Sequence, residues 1–353
     1  MNPSESAAAA LFRGIVQPLL SWYSIAAREM PWRMQQPDPY RTLISEIMLQ
    51  QTRVETVKPY YERFIAALPN LKALAVAEEE PLLKLWEGLG YYSRVRNLQK
   101  AARAVMSDFE GKIPAERKLL LQLPGIGEYT AGAIASIAFG LPEPAVDGNV
   151  LRVCTRLLDC HRNIAEPDLR KTIREQLKKV YPKGKCSEFT QSLMDLGAMI
   201  CVPGNPHCPE CPLKKMCRGQ SAGTAPDLPV KDIPQPRRME YRTVFLLESE
   251  KGRIALRKRP DKGILAGLWE YPSAAGTFTL PQVKNWLDKH KLSVRMIRKA
   301  DSGRHVFTHL EWHMTSWRIL CRAENPDFTW ADRAELESVY SLPGAFKHFM
   351  IGI

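Results

Sequence analysis

The sequence has no long apolar run of the kind that crosses a membrane. No stretch of the 353 residues approaches the roughly 18 uncharged apolar residues that a transmembrane helix needs. Residues 1–20 include a short alanine-rich run, but not the basic start, apolar core and small-residue cleavage site of a secretory signal. We therefore expect a cytoplasmic protein that does not act in a membrane.

Cysteine is also scarce. The eight cysteines are too few for a disulfide scaffold in a chain of this length, yet four of them lie within seventeen residues. Their spacing is C-x6-C-x2-C-x5-C, and the intervening prolines and glycine favour turns that bring four thiolates towards one centre. A sulfur-only ligand set fits zinc or an iron–sulfur cluster, and the ligands alone do not distinguish the two. The candidate ligands are Cys201, Cys208, Cys211 and Cys217.

Acidic residues are fewer than basic residues. The chain has 38 Asp and Glu against 50 Lys and Arg, a formal net charge of +12, and an isoelectric point near 9.3. Such a charge attracts polyanions, so nucleic acid is the first partner to consider. Anionic membranes and acidic proteins remain alternatives at this point.

The chain is long enough for two domains with separate cores. Residues 1–218 form the first predicted domain, in which apolar side chains recur at helical spacings from about residue 11 onward, for example over 42–57 and 81–106. Residues 219–236 are rich in proline and in small or polar residues, which indicates a linker.

The remaining part, residues 237–353, is predicted to be α+β. Two short apolar runs, 241–247 and 253–256, flank a charged turn and predict a β-hairpin. A helix over 281–290 and a strand over 312–321 complete the prediction.

The sequence contains neither a Walker loop nor a GxGxxG fingerprint. Instead, Leu123-Pro124-Gly125-Ile126-Gly127 lies between an apolar helical segment and a helix predicted over 128–139, so that residues 119–139 form a helix-hairpin-helix. Backbone amides exposed by Gly125 and Gly127 can hold a phosphate without contacting bases. A plain helix-turn-helix corner is the alternative.

Two acidic residues are candidates for catalysis. Asp147 begins a helical segment and is predicted to be its N-cap. Glu46 lies on a helix that starts at Asp38 and Pro39, on the side opposite its apolar residues. Helix capping for Asp147 and plain surface exposure for Glu46 are the alternatives.

Several segments together resemble the adenine DNA glycosylases, the MutY family of the helix-hairpin-helix glycosylase superfamily. These segments are SEIMLQQT at 45–52, GLGYYSRVRNL at 88–98, LPGIGEYTAGA at 123–133, VDGNVLRV at 146–153, MDLGAMIC at 194–201 and the cysteine loop. The resemblance implies a multi-domain fold: an all-α helix-hairpin-helix glycosylase domain with an iron–sulfur cluster loop at 201–217, and an α+β Nudix-like C-terminal domain. It also implies that the four cysteines hold a 4Fe-4S cluster.

The resemblance implies a monofunctional reaction on double-stranded DNA that contains adenine opposite 8-oxoguanine or guanine. Glu46 would be the general acid that protonates adenine and would also handle the water. Asp147, kept ionised by its helix N-terminus, would stabilise the oxocarbenium-like sugar or bond to it transiently. Asn149 matches a position that supports this pair. Tyr129 occupies the position of a lysine in related glycosylases that also cut the strand, so we expect base removal only.

The same resemblance nominates DNA contacts. Gln51 and Tyr91 would insert near the lesion pair, and the pocket for the flipped adenine would be lined by Trp32, Arg33 and Gln191. In the C-terminal domain, no acidic Nudix box is present, so we expect recognition of oxidised guanine rather than nucleotide hydrolysis. Its candidate contacts are Phe307, Thr308 and His309, with Thr308 where the family usually has serine.

Three other functions compete with this prediction. A thymine-glycol type glycosylase with lyase activity is disfavoured by Tyr129 and by the additional C-terminal domain. A non-enzymatic iron–sulfur protein that binds DNA or senses redox state has no need of Glu46 and Asp147. A Nudix-type nucleotide hydrolase would need the missing acidic box. We expect the enzyme to act as a monomer.

Overall fold

The computed structural model describes residues 3–233 and 235–349, with side chains from residue 8 onward. Met1, Asn2, Pro234 and residues 350–353, which the predicted domains and linker include, lie outside the described residues. The helices are α1 Pro3–Ala26, α2 Pro39–Leu49, α3 Val54–Ala67, α4 Leu71–Val76, α5 Glu79–Leu85, α6 Ser93–Asp108, α7 Arg117–Leu120, α8 Glu128–Ala133, α9 Gly148–Leu158, α10 Pro167–Lys178, α11 Cys186–Met199, α12 Arg218–Ser221, α13 Leu280–Lys289, α14 Arg333–Ser338 and α15 Gly344–Lys347. The strands are β1 Arg238–Ser249, β2 Ile254–Lys258, β3 Trp269–Glu270, β4 Ser273–Ala275, β5 Val294–Val306, β6 Leu310–Cys321 and β7 Thr329–Ala331.

By its internal contacts the chain forms two compact units. The helical unit comprises Met1–Val76 and Arg96–Ile233, and the sheet unit comprises Ala77–Val95 and Pro234–Ile353. This division differs from the predicted boundaries at two places. Residues 77–95 group with the sheet, and residues 219–233 of the predicted linker group with the helical unit. Within this segment, Leu228 O accepts a bond of 2.9 Å from buried Arg156.

The helical unit is built around the buried residues of α1, α9, α10 and α11. Phe12, Leu151 and Phe189 are fully buried in this core. The hydrophobic effect favours this arrangement because each of these helices has an apolar side that water must otherwise solvate.

Two of the predicted helical stretches are interrupted. The stretch 42–57 ends as α2 at Leu49 and resumes as α3 at Val54, and the stretch 81–106 is likewise split between α5 and α6. Gln51 has φ 57° and Tyr91 has φ 46°, both in the left-handed region that side chains rarely adopt. Apolar spacing continues across both interruptions, so periodicity alone could not find them.

The helix-hairpin-helix is formed by α7, the turn over 121–127 and α8. The second helix is α-helical only to Ala133 and continues as a π-helix over Ile134–Ala138, whereas the sequence predicted a single helix over 128–139. Ile137 and Ala138 line the largest cavity described below. Single π-helical turns of this kind are frequent at functional sites.

The sheet unit contains a mixed sheet with the strand order β3-β2-β1-β6-β5, in which β4 also pairs with β1 and β7 with β2. The predicted hairpin is present as antiparallel β1 and β2, and the central β1 and β6 run parallel, with Phe245 opposite Trp317. Val244 and Phe245 belong to different cores because alternate residues of a strand point to opposite sides. The sheet is thus covered on both faces.

None of the helices in the described part of the chain combines the length and the apolar character that a membrane crossing requires.

Candidate active site

The helical unit contains a cavity of about 1070 Å³, hereafter the main cavity. It brings together seven of the residues nominated from the sequence: Trp32, Arg33, Glu46, Tyr129, Asp147, Asn149 and Gln191. These residues come from segments that span about 160 positions of the chain, so their convergence is a property of the fold rather than of any one motif.

Glu46 is buried on α2, with only 5% of its surface exposed. The surface position considered from the sequence is therefore wrong. Burial raises the pKa of Glu46 to about 7. The charge of Asp147 adds to this rise, whereas the hydrogen bond from Tyr129 and the charge of Arg33 oppose it. A carboxyl with this pKa can both give and take a proton near neutrality.

Tyr129 contacts Glu46 directly. Its hydroxyl donates a hydrogen bond of 2.6 Å to Glu46 Oε2. Burial, together with the neighbouring charges of Glu46 and Asp147, raises the pKa of Tyr129 well above its usual value. The phenol is thus a neutral donor at physiological pH.

Asp147 is the predicted N-cap of α9. Its Oδ1 accepts a bond of 2.7 Å from Val150 N, and its Oδ2 accepts one of 3.1 Å from Asn149 Nδ2. Burial raises the pKa of Asp147, and the hydrogen bonds from Val150 and Asn149 lower it without cancelling the rise. Asp147 thus caps the helix as predicted. The rise of its pKa through burial is larger than the fall that the cap hydrogen bonds cause.

Asn149 is itself held in place. Arg152 Nη2 donates 2.9 Å to Asn149 Oδ1 and 2.7 Å to the carbonyl of Gly197. Because the amide oxygen is occupied in this way, the amide nitrogen is turned towards Asp147. Two consecutive hydrogen bonds thus connect Arg152 to Asn149 and Asn149 to Asp147.

Arg33 is fixed by a carboxylate that the sequence analysis missed. Asp195 is fully buried and accepts bonds from Arg33 Nη1 at 2.7 Å and Nη2 at 2.9 Å, and it also binds Arg28. Burial alone would raise the pKa of Asp195, but the two arginines outweigh it and the pKa is lowered. A single acidic residue within the apolar segment 194–201 was the only available signal.

The other two nominated pocket residues differ in their surroundings. Trp32 is buried and packs edge-on against Tyr61, with ring centroids 5.3 Å apart. Gln191 lines the cavity, and its Nε2 donates a bond of 3.1 Å to Ser187 Oγ.

A second cavity of about 600 Å³, hereafter the hairpin cavity, contains the nominated backbone-binding residues. Gly125 and Gly127 line it together with Gln51, and it shares Tyr129 and Asp147 with the main cavity. The hairpin is therefore adjacent to Asp147. Arg170 of α10 also lines this cavity and was not nominated from the sequence.

The sheet unit brings Tyr91 and Thr308 together. Their hydroxyl oxygens are 2.5 Å apart and share a hydrogen bond. Thr308 and His309 are exposed at the turn between β5 and β6, whereas Phe307 packs against Trp312, with ring centroids 4.8 Å apart. Of the three nominated loop residues, two are thus available to a ligand and one anchors the turn.

The four clustered cysteines line one small cavity in the helical unit. Buried Arg156 secures the surrounding loop: its Nη1 donates 2.8 Å to Val202 O and 3.3 Å to Cys201 Sγ. Within the described residues, no group of three or more His, Cys, Asp or Glu side chains is arranged to hold a metal ion. The four thiols nevertheless share one cavity.

The comparisons with known proteins agree with this fold. The HhH-GPD superfamily base excision DNA repair protein model matches residues 44–183, and the NUDIX domain model matches residues 243–351. A thermostable thymine-DNA glycosylase is 31% identical with a TM-score of 0.55, covering 60% of this chain and 98% of that chain. An endonuclease III in a non-covalent DNA complex is 26% identical with a TM-score of 0.52, covering 61% of this chain and 97% of that chain.

The fold and these matches define a helix-hairpin-helix base excision DNA repair glycosylase, a hydrolase of N-glycosyl bonds that has DNA as its partner, with a Nudix-like C-terminal domain. Adenine DNA glycosylases are similar over most of the chain. The protein of Buchnera aphidicola subsp. Baizongia pistaciae is 34% identical, covering 86% of each chain. That of Homo sapiens is 33% identical, covering 89% of this chain and 68% of its own. The chain belongs to the adenine DNA glycosylase family, which confirms the resemblance found in the sequence.

Proposed function

We propose that the enzyme removes adenine mispaired with 8-oxoguanine or guanine in duplex DNA and leaves an abasic site. The observation that supports this proposal most directly is the pair of carboxyls in the main cavity, buried Glu46 and partly buried Asp147. Cleavage of a purine nucleoside needs a proton for the base and a negative charge for the sugar. These two groups can supply both.

The roles follow from the hydrogen bonds. Asp147 accepts bonds from the amides of Val150 and Asn149, which stabilise its anion, whereas Glu46 has one hydroxyl donor and a pKa of about 7. Glu46 would therefore be the acid. As the C1′–N9 bond breaks, its electron pair goes to adenine and a ring nitrogen takes the proton of Glu46. Asp147 stabilises the cationic sugar, water adds to C1′, and Glu46 recovers a proton from that water.

The flipped adenine would occupy the main cavity. Trp32 offers an aromatic surface, while Arg33 and Gln191 offer hydrogen-bond donors to the base edge. Gln51 and Tyr91 would fill or wedge the base stack, and the left-handed backbone at both residues projects them from breaks between helices. The exposed Thr308 and His309 would contact the oxidised guanine.

Strand cleavage is not part of the proposed reaction. A lyase needs an amine that forms a Schiff base with the sugar, and the residue beside Glu46 is the phenol of Tyr129. Since all proposed catalytic groups come from one chain, we also propose that the enzyme acts as a monomer.

We further propose that Cys201, Cys208, Cys211 and Cys217 hold a 4Fe-4S cluster. The four thiols line one cavity, and four thiolates are the ligand set that a 4Fe-4S cluster requires. The spacing of these cysteines, which resembles that of the helix-hairpin-helix glycosylases, favours the cluster over zinc. When bound, it would tie the loop 201–217 to α9 and supply a redox-active centre.

The test is a single-turnover assay of Glu46→Gln on a duplex with adenine opposite 8-oxoguanine. We expect adenine release to fall by about 10²–10⁴-fold, the usual loss for a general acid, with duplex binding retained. Glu55→Gln is the matched control, because Glu55 lines the same cavity but is exposed and paired with Lys58. Unchanged turnover in Glu46→Gln, or an equal loss in Glu55→Gln, would contradict the assignment.

A further inference from the structure

Arg170 lies on α10, near several cations that are already bound to carboxylates. Arg174 is bound to Glu128, Lys178 to Glu143, and Arg162, which precedes the helix, to Glu166. Each of these cations is therefore already bound to a carboxylate, and Arg117 shares Glu128 and Glu143 with them.

Arg170 itself has no such partner. It is exposed, and its Nη1 donates a bond of 2.8 Å to the carbonyl oxygen of Val146. No carboxylate of the described residues lies within ion-pair distance of its guanidinium. A neutral carbonyl does not compensate the positive charge, and a guanidinium has five N–H donors, most of which stay available.

Arg170 lies where its positive charge is accessible to an anion. It lines the hairpin cavity with Gly125, Gly127 and Gly148, three residues without side chains, so a bulky anion can approach closely. Asp147 and Tyr129 line the same cavity. An anion bound there would lie beside the carboxylate that is proposed to stabilise the sugar.

The bond to Val146 connects this charge to the active site. Val146 directly precedes Asp147, the N-cap of α9. Because the guanidinium holds the Val146 carbonyl, it restrains the peptide from which the Asp147 side chain extends. One side chain can thus contact the DNA backbone and fix the carboxylate.

We propose that Arg170 binds a backbone phosphate of the DNA strand in the hairpin cavity and, through the Val146 carbonyl, positions Asp147. This inference rests on the proposed glycosylase function. Arg170 is a DNA-binding and positioning residue, not a catalytic one. Its planar, forked guanidinium can contact a phosphate and a carbonyl at once, which the single ammonium of lysine does less well.

The experiment compares the full-length wild type with Arg170→Ala, Arg170→Lys and Lys171→Ala. Lys171 is the matched control, since it is the next residue of α10 and exposed, but does not line the cavity. The affinity for an undamaged duplex is measured at several salt concentrations, and the single-turnover rate is measured at saturating enzyme on adenine opposite 8-oxoguanine.

We expect Arg170→Ala to reduce the slope of log affinity against log salt by about 0.9, the change for one lost phosphate contact. Its rate at saturation should also fall roughly tenfold or more, as for a misplaced catalytic group. Arg170→Lys should restore the slope but not the full rate, and Lys171→Ala should match the wild type in rate.

A wild-type slope in Arg170→Ala, or equal changes in Arg170→Ala and Lys171→Ala, would overturn the inference. A lower unfolding temperature of Arg170→Ala with an unchanged slope would also overturn it, since that pattern indicates a structural role only. If the wild type itself releases no adenine, the proposed function fails, and the salt slopes still decide whether Arg170 binds phosphate.

Discussion

At the scale of the residue, opposing effects set the pKa of Glu46 and therefore the pH range in which it can act as an acid. Burial raises the pKa of Glu46 to about 7, and the hydroxyl of Tyr129 opposes the rise because it stabilises the ionised form. A general acid must be protonated to act, so the rate of adenine release should fall as the pH rises through about 7.

Tyr129→Phe tests this balance. Without the phenol hydroxyl, the ionised form of Glu46 loses its hydrogen bond of 2.6 Å, so the pKa of Glu46 rises further. The acid then stays protonated to higher pH, and the alkaline limb of the rate profile moves upward. Single-turnover rates of both proteins across neutral pH measure this shift. A limb that stays in place or moves downward would contradict the role given to Tyr129.

Individual residues were predictable from the sequence to different degrees. Asp147 was assigned as an N-cap because a helix start has a local sequence signature. The burial of Glu46 has no such signature, since the cover over its face of α2 comes from other parts of the chain. The pairing of Arg33 with Asp195 spans 162 positions and could not be inferred from either residue alone.

At the scale of the element, more of the nominated site residues lie in short turns than within helices. Gln51 and Tyr91 occupy left-handed conformations at breaks that apolar periodicity does not detect. Gly125 has φ +77°, and a Cβ on it would lie 2.7 Å from Asn97 Cβ. The glycines of the hairpin therefore serve two purposes, one conformational and one in ligand access.

Gly125→Ala and Gly127→Ala separate these purposes. Gly125→Ala should lower the free energy of unfolding by about 1–3 kcal/mol, the cost of a strained backbone conformation. Gly127 has φ −96°, and a Cβ there would meet nothing within 4 Å, so Gly127→Ala should keep its stability. We expect it to bind duplex DNA more weakly, because the added methyl group blocks close approach of a phosphate. Urea unfolding and duplex titration measure both effects, and equal stability losses would contradict this account.

The cysteine loop is a second element whose role can be tested. Cys208→Ser should lose bound iron and the visible absorbance of a 4Fe-4S cluster, since one of four ligands is removed. Cys160→Ser is the control, because Cys160 packs beside the core and does not line the cavity. Iron analysis and absorbance spectra of both variants provide the measurement. Full iron content in Cys208→Ser, or zinc in the wild type, would contradict the cluster proposal.

At the scale of the whole molecule, the sequence predicted the two-part fold but not its detailed division. The order of motifs indicated a helical part and a Nudix-like part, and both are confirmed. Residues 77–95 nevertheless belong to the sheet unit, where Lys84 Nζ donates bonds of 3.1 Å to the carbonyls of Leu336 and Tyr340. These contacts join positions 252 and 256 residues apart, and backbone carbonyls carry no sequence signal.

The grouping of residues 77–95 with the sheet places Tyr91 in the same unit as Thr308. Tyr91 precedes α6 and yet belongs to the sheet unit, where its hydroxyl is bonded to Thr308. Two residues proposed to contact the lesion thus share one compact unit, although 217 positions separate them. The threonine in place of serine keeps the hydroxyl that makes this bond.

The central claim is that the enzyme releases adenine opposite 8-oxoguanine without cutting the strand. The direct measurement is single-turnover cleavage of three duplexes, with adenine opposite 8-oxoguanine, adenine opposite guanine, or thymine glycol, each quenched with and without hot alkali. We predict cleavage at the adenine of the first two duplexes, faster opposite 8-oxoguanine, and only after alkali. Cleavage at thymine glycol without alkali, or no cleavage at adenine by protein loaded with its cluster, would contradict the claim.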